Sequence, residues 1–219
     1  FPIERMVNIS LTEEEFYGND FPRLQLAQTQ LTGLFSEYTH LYRDEGSPYT
    51  VQSITSRIKA PESMARKLKR RGLEADGSLA LTRVHDALGF RAVCSFTSGV
   101  YHMAQWIRQR PELEVLLEKD YISRPKENGY RSLHMILRIR EGEAAGLTAE
   151  LQLRTIAQDF WASLEHKIAY KFEGNAPENL LKELKACADM VDILDAKMFS
   201  LNEAITAFAR EQKERSEES

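Results

Sequence analysis

Two carboxylates and a cluster of cations carry the chemistry this sequence could perform. Asp86 stands just before an apolar, strand-like run, and Glu150 lies inside a second such run 64 residues later. If those runs are neighbouring strands, the two side chains meet. Paired carboxylates suit magnesium, a hard cation that takes oxygen ligands, commonly one or two carboxylates together with substrate phosphates. Spacing alone argues this weakly, because 33 acidic residues offer many such pairs and a loop cap or surface charge would explain either one.

Between Arg57 and Arg71 the sequence RIKAPESMARKLKRR holds seven basic residues against one acidic residue, Glu62. A solvated helix face is the plain explanation for such a run. The geometry adds a second one: Ser63, Lys67 and Arg70 stand at i, i+4 and i+7 and so share one face of a helix beginning near Pro61. A hydroxyl and two cations on one side can grip a phosphate chain. The segment Arg124-Pro-Lys-Glu-Asn-Gly-Tyr-Arg-Ser132 combines cations, an Asn-Gly turn and an aromatic ring just ahead of a strand. Its tyrosine either packs on the core or offers a flat surface to a nucleobase, where stacking contributes about 1 to 3 kcal/mol.

The elements that must position these groups follow from hydrophobic periodicity. Apolar residues at helical spacing predict a helix over 23–43, followed by a segment over 49–58 that reads as extended, the basic helix ending at Gly72, and a polar loop through Asp76-Gly77-Ser78. Three strands alternate cleanly. Phe90, Ala92, Cys94 and Phe96 oppose Arg91, Val93 and Ser95; Leu133, Met135, Leu137 and Ile139 oppose Ser132, His134, Ile136 and Arg138; Leu151 and Leu153 oppose Thr148, Glu150, Gln152 and Arg154. One sheet face is therefore core and the other a polar floor. Residues 100–110 read as a helix, 113–122 as a further strand, and 155–172 as a helix with Ile156, Phe160, Trp161, Leu164 and Ile168 on one side. The tail from Asn179 to about Arg215 reads as one long amphipathic helix or a pair, with apolar surface to spare for another subunit.

At 219 residues, 42% hydrophobic and 28% charged, the composition is that of a globular chain large enough to close a core without disulfides. Cys94 and Cys187 lack the spacing of a zinc site and read as buried thiols in a reducing compartment. No run is long enough to cross a bilayer and the start lacks a signal-peptide pattern, so a cytoplasmic location, with no membrane partner, is expected. The formal charge of −4 disfavours a general nucleic-acid coat.

From about Thr50 to Glu173 the chain resembles the RelA/SpoT-type guanosine tetraphosphate synthetases, specifically the single-domain small alarmone synthetases. The resemblance rests on RIKAPES at Arg57, DALGFR at Asp86, KDYISRPKENGYRSLH at Lys119, ELQLRT at Glu150 and FWASLEHKIAYK at Phe160, five motifs in order. It implies an α+β fold, a nucleotidyltransferase-like mixed β-sheet flanked by helices with N- and C-terminal helical extensions. The implied divisions are an N-terminal segment 1–22, a synthetase domain 23–175 and a C-terminal helical extension 176–219. The implied activity is Mg2+-dependent transfer of the β,γ-pyrophosphate of ATP to the 3′-hydroxyl of GDP or GTP.

By motif, the resemblance implies that Arg57 and Arg91 sandwich adenine, which suits planar guanidinium groups, and that Lys59, Ser63, Lys67 and Arg70 grip the ATP phosphates. Asp86 is implied as magnesium ligand, and Glu150 as the residue that shares the metal and helps deprotonate the attacking hydroxyl. Tyr130 is implied as guanine stacker, with Lys119, Lys126 and His134 near the acceptor phosphates and Gln152 supporting the site floor. Asp159 stands where some relatives have asparagine; a carboxylate there can accept from guanine N1–H and the 2-amino group, which adenine cannot supply, although an acid at a helix N-terminus needs no such role.

His85-Asp86 spells the dipeptide of metal-dependent phosphohydrolases, but His40, His102, His134 and His166 lack the spacing of further ligands. Two alternatives stand beside the synthetase reading. One is a toxic relative that pyrophosphorylates tRNA 3′ ends or adenosine nucleotides, and the other a non-catalytic nucleotide-sensing or RNA-binding module. A homotetramer is expected, with RNA or an antitoxin as the class of regulator.

Overall fold

The computed structural model describes residues 11–44, 46–172 and 175–217. Of the expected N-terminal segment 1–22, the first ten residues lie outside these, as does Glu173, the end of the resembling stretch. In chain order the elements are α1 (Glu13–Tyr17), a short 3-10 turn (Gly18–Asp20), α2 (Phe21–Leu41), β1 (Val51–Ile58), α3 (Pro61–Arg70), α4 (Gly77–Arg83), β2 (Leu88–Cys94), α5 (Thr97–Arg108), β3 (Leu113–Asp120), β4 (Leu133–Ile139), β5 (Thr148–Thr155), α6 (Ile156–Lys171) and α7 (Glu178–Glu217).

The five strands form one mixed sheet in the order β1-β2-β5-β4-β3. Only β2 and β5 run parallel; the other three pairs are antiparallel. Within the strands the alternation read from sequence holds: Leu88, Phe90, Ala92 and Cys94, with Leu133, Met135, Leu137, Ile139, Ala149, Leu151 and Leu153, are buried on one face, whereas Phe96, expected on that face, lies past the end of β2 at the N-cap of α5 and is only partly buried. Buried stripes of α2 (Leu24, Ala27, Leu31, Phe35, Tyr38) and α5 (Val100, Met103, Ala104, Trp106, Ile107) join them in the core. The opposite face keeps the polar residues.

Several local expectations change. The segment at Asp76 is a helix rather than a loop, because the Asp76 side chain caps α4 by accepting from the Leu79 N–H. Gly77 packs so tightly on α1 that a Cβ there would lie 2.1 Å from the Phe16 carbonyl oxygen. Helix α1 was not legible in the sequence; a Thr12–Glu15 capping box starts it, and five residues are too few to show a period. Helix α2 begins at Phe21, so the expected boundary at 22/23 falls inside its first turn.

The predicted apolar side of α6 is split. Trp161 is buried, whereas Ile156 and Phe160 are 53% and 72% exposed, because α6 meets α7 along one narrow line where the Trp161 indole N–H donates to the Leu184 carbonyl at 2.8 Å. The tail is a single 40-residue helix, about 60 Å long at 1.5 Å per residue. Its residues Met190, Ile193, Leu194, Met198, Leu201, Ile205 and Phe208 are exposed. Among the described residues no helix is long and apolar enough to cross a membrane.

Candidate active site

Sheet register gathers the polar residues into two adjacent rows across the strands. In one row Arg57, Gly89, Glu150 and Ile136 stand side by side; in the next, Thr55, Arg91, Gln152, His134 and Lys119 cross all five strands. Gly89 carries no side chain between Arg57 and Glu150, which leaves room over the floor. A cavity of about 460 Å³ opens there, lined by Arg57, Lys59, Asp86, Arg91, Glu150 and Gln152 among others. A second cavity of about 250 Å³ is lined by Lys119, Tyr121, Lys126, His134 and Glu150 among others. Glu150 lines both.

Asp86 sits at the entry to β2, half-buried. Its Oδ2 accepts from Lys59 Nζ at 2.7 Å and Lys67 Nζ at 2.5 Å. Burial pushes its carboxyl up, but the bonds and charges of those two lysines outweigh burial and hold it below the ordinary carboxylate range. Lys67 is placed by α3, which Pro61 starts at its first position and which buries Met64 and Leu68 at i, i+4. Lys59 is held from behind, where its carbonyl accepts from the buried Tyr17 hydroxyl at 2.7 Å.

Around Glu150 the hydrogen bonds close into a ring. His134 Nδ1 lies 3.2 Å from Glu150 Oε1, and His134 Nε2 is 2.7 Å from the Tyr130 hydroxyl. That hydroxyl accepts from Arg154 Nη2 at 2.7 Å, which also donates to Gln152 Oε1 at 2.9 Å. Gln152 Nε2 returns to Glu150 Oε2 at 3.2 Å. The bond from His134 is the main reason the Glu150 carboxyl lies below its ordinary value; burial and the nearby Asp86 charge oppose it.

Tyr130 is half-buried, with Lys126 Nζ 4.7 Å from its ring centroid and 4.7 Å from that of Tyr121. Its loop is clamped by the tail: Gly129, at φ +91°, faces Ala188, and Arg131 pairs with Asp192 at 3.2 Å. Asp159, in the first turn of α6, pairs through Oδ1 with Arg154 at 3.1 Å and Arg91 at 3.3 Å. Of the sequence candidates, Arg57, Lys59, Asp86, Arg91, Glu150, Gln152, Lys119, Lys126 and His134 line the two cavities, and Lys67 and Tyr130 touch their lining residues. Ser63 instead accepts from Arg66, Arg70 is exposed, and neither lines a cavity. Sequence reasoning missed Arg154 and Tyr121. Arg154 had one signal, its parity with Glu150 and Gln152 on the polar side of β5.

Asp86 Oδ1 is buried and has no hydrogen-bond partner. An orphaned carboxylate oxygen beside Glu150 fits a divalent cation completed by phosphate oxygens. Among the described residues, no group of three or more His, Cys, Asp or Glu could hold a metal through protein ligands alone.

The segment 56–175, which holds both cavities' charged lining and the whole ring, matches the region found in RelA / SpoT proteins. The chain belongs to the RelA/SpoT family. It is 36% identical over 197 residues to the GTP pyrophosphokinase YwaC of Bacillus subtilis, covering 89% of this chain and 94% of that relative. Among solved structures it is similar to small alarmone synthetase 2 from Bacillus subtilis, with a TM-score of 0.75 and 38% identity, covering 85% of this chain and 98% of that one. Small alarmone synthetase 1 from the same organism, bound to its product pppGpp, also has a TM-score of 0.75, at 27% identity over 84% of this chain and 95% of that one. The mixed sheet with flanking helices is thus the family's α+β fold.

Proposed function

We propose that the chain is a pyrophosphokinase that moves the β,γ-pyrophosphate of ATP to the 3′-hydroxyl of GDP or GTP, releasing AMP and forming (p)ppGpp. The single observation that carries this reading is that Glu150 lines both cavities. A transfer reaction needs donor and acceptor to meet at one point, and Glu150 marks it.

In this reading the larger cavity takes ATP. Arg57 and Arg91 stand in neighbouring rows with planar groups suited to enclose adenine, while Lys59 ahead of α3 and Lys67 on it meet the triphosphate, with Ser63 and Arg70 on the same helix beyond the cavity wall. The smaller cavity takes the acceptor phosphates on Lys119, Lys126 and His134, with guanine on Tyr130. Gln152 braces the floor. Asp159 is the candidate guanine reader through its Oδ2, its Oδ1 being engaged by two arginines. Asp86 and Glu150 would hold Mg2+, which supplies charge neutralisation for the transferred group and the leaving AMP.

The 3′-oxygen attacks the β-phosphorus, the bond from that phosphorus to the oxygen bridging it to the α-phosphate breaks, and AMP departs with that oxygen. The hydroxyl proton passes to Glu150. A carboxylate held below its ordinary pKa is a modest base, so its larger contribution is alignment of the hydroxyl. The exposed apolar residues of α6 and α7 support the tail 176–219 as an oligomerisation extension and a homotetramer as the working assembly. The substrates are cytoplasmic nucleotides, and the reading assigns the enzyme there.

Incubating the protein with magnesium, γ-labelled ATP and, separately, GDP, GTP, ATP or tRNA tests the reaction and the acceptor together. Label in guanosine nucleotides alone is expected. Label in tRNA or in an adenosine nucleotide instead would assign a different acceptor.

A further inference from the structure

Among the described residues Arg154 is the only charged one that is buried, at 5% exposure. It lines neither cavity, so substrate contact does not explain it. A buried guanidinium is costly unless its donors are matched, and here each of its three nitrogens has a partner. Nη1 donates to Asp159 Oδ1, Nη2 to the Tyr130 hydroxyl and to Gln152 Oε1, and Nε to Ser132 Oγ at 3.4 Å. The Asp159 oxygen it holds is the one that also takes Arg91 Nη1. An unbroken chain therefore runs Arg91–Asp159–Arg154–Tyr130, from the wall of the larger cavity to the aromatic ring behind the smaller one.

We propose that Arg154 is a positioning residue that ties the donor platform at Arg91 to the acceptor platform at Tyr130, so that a nucleotide on either side raises affinity on the other. The inference rests on the assignment of those two platforms made above. A purine stacked on Arg91 restricts its guanidinium and with it the shared Asp159 oxygen. That oxygen sets the plane of the Arg154 fork, and the other arm of the fork holds the Tyr130 hydroxyl. Part of the cost of ordering the acceptor ring is then already met, and linkage makes the effect reciprocal. A lysine cannot substitute, since a single ammonium lacks a planar fork that spans both partners.

Calorimetric titration of the full chain with magnesium, GDP and an ATP analogue carrying a methylene between the α- and β-phosphorus atoms tests this. In wild type each ligand is expected to tighten the other by about 5-fold or more, the usual scale of site coupling. Arg154→Lys should bring that factor close to one while the affinity for the analogue alone stays within about 3-fold of wild type. Arg91→Met removes the cation that pairs with Asp159, so it breaks the chain at its exposed end, leaves the buried guanidinium in place and keeps the question answerable if Arg154→Lys does not fold. It too should lose coupling, and the double variant should lose no more than either single one. Coupling that survives either substitution, or wild type that binds both nucleotides independently, overturns the proposal. Failure of wild type to bind GDP at all would instead defeat the functional reading, and this inference with it.

Discussion

Asp86 and Glu150 line one cavity because Gly89, three residues beyond Asp86, stands opposite Glu150 in the parallel pairing of β2 with β5. That pairing is the one parallel contact in the sheet. It sets both carboxylates near the same end of two adjacent strands, where one cation and a phosphate chain can meet them. The same register places His134 beside Gln152, which lets the hydrogen-bonded ring close around Glu150.

Glu150→Gln keeps the size of the side chain and removes its charge. Turnover is expected to fall about 10²- to 10⁴-fold, the scale of a lost general base, while ATP binding stays largely intact. Labelled-ATP turnover and calorimetry on the same sample check both halves. Retained turnover would refute the role assigned to Glu150.

Tyr130→Ala should chiefly raise the KM for the guanine nucleotide, by about 5- to 150-fold if stacking contributes about 1 to 3 kcal/mol. Tyr130→Phe keeps the ring but loses the hydroxyl bonded to His134 and Arg154. Its KM should lie nearer wild type than that of the alanine variant. Equal values for the two variants, or an unchanged KM in the alanine variant, would mean that guanine does not sit on this ring.

Gly129 occupies a left-handed backbone conformation, and an added Cβ would lie 2.5 Å from the Ala188 Cβ. Gly129→Ala is therefore expected to destabilise the fold by about 1 to 3 kcal/mol, seen as a lower denaturation midpoint. Adding Ala188→Gly should recover part of the loss by removing the clash. If the second substitution recovers nothing, the contact between the Tyr130 loop and α7 is not the cause.

Stability against pH follows opposite signs at different carboxylates. Asp86 and Glu150 titrate below their ordinary values in the folded chain. The stability they contribute is present above the ordinary carboxylate range and is lost as pH falls through their folded values. Asp195 is the reverse: burial raises its carboxyl, and the bond from the Thr155 hydroxyl only partly offsets this. Its contribution is present below the unfolded value of about 4 and is lost as pH rises through the raised one. Asp195→Asn should accordingly melt above wild type at neutral pH, with the gap closing at about pH 3. Thermal melts at the two pH values decide this, and a gap of equal size at both would rule out the titration as its source.

Much of this protein was legible locally. Period-two alternation in β2, β4 and β5 identified the buried and polar faces, since a strand can hide only every second side chain. Pro61 together with Ser63, Lys67 and Arg70 at i, i+4 and i+7 identified α3, and five ordered motifs pointed to the family. What stayed hidden was short or shared between elements. Helix α1 has too few residues for a period, and the exposed Ile156 and Phe160 of α6 look in sequence like the buried Trp161, because helical spacing says which residues share a side but not what covers it.

The amino-acid order by itself determined which residues carry charge, which face of each strand turns to the core, and where the helix α3 runs, because these depend on neighbours within a few positions. Tertiary structure alone decided that Glu150 lines two cavities, that Asp159 is held by arginines from two different strands, and that Arg154 is buried with a partner for each of its three nitrogens. Those outcomes depend on strand order and register, which are set by the packing of the whole sheet against α2 and α5 rather than by any local run of residues.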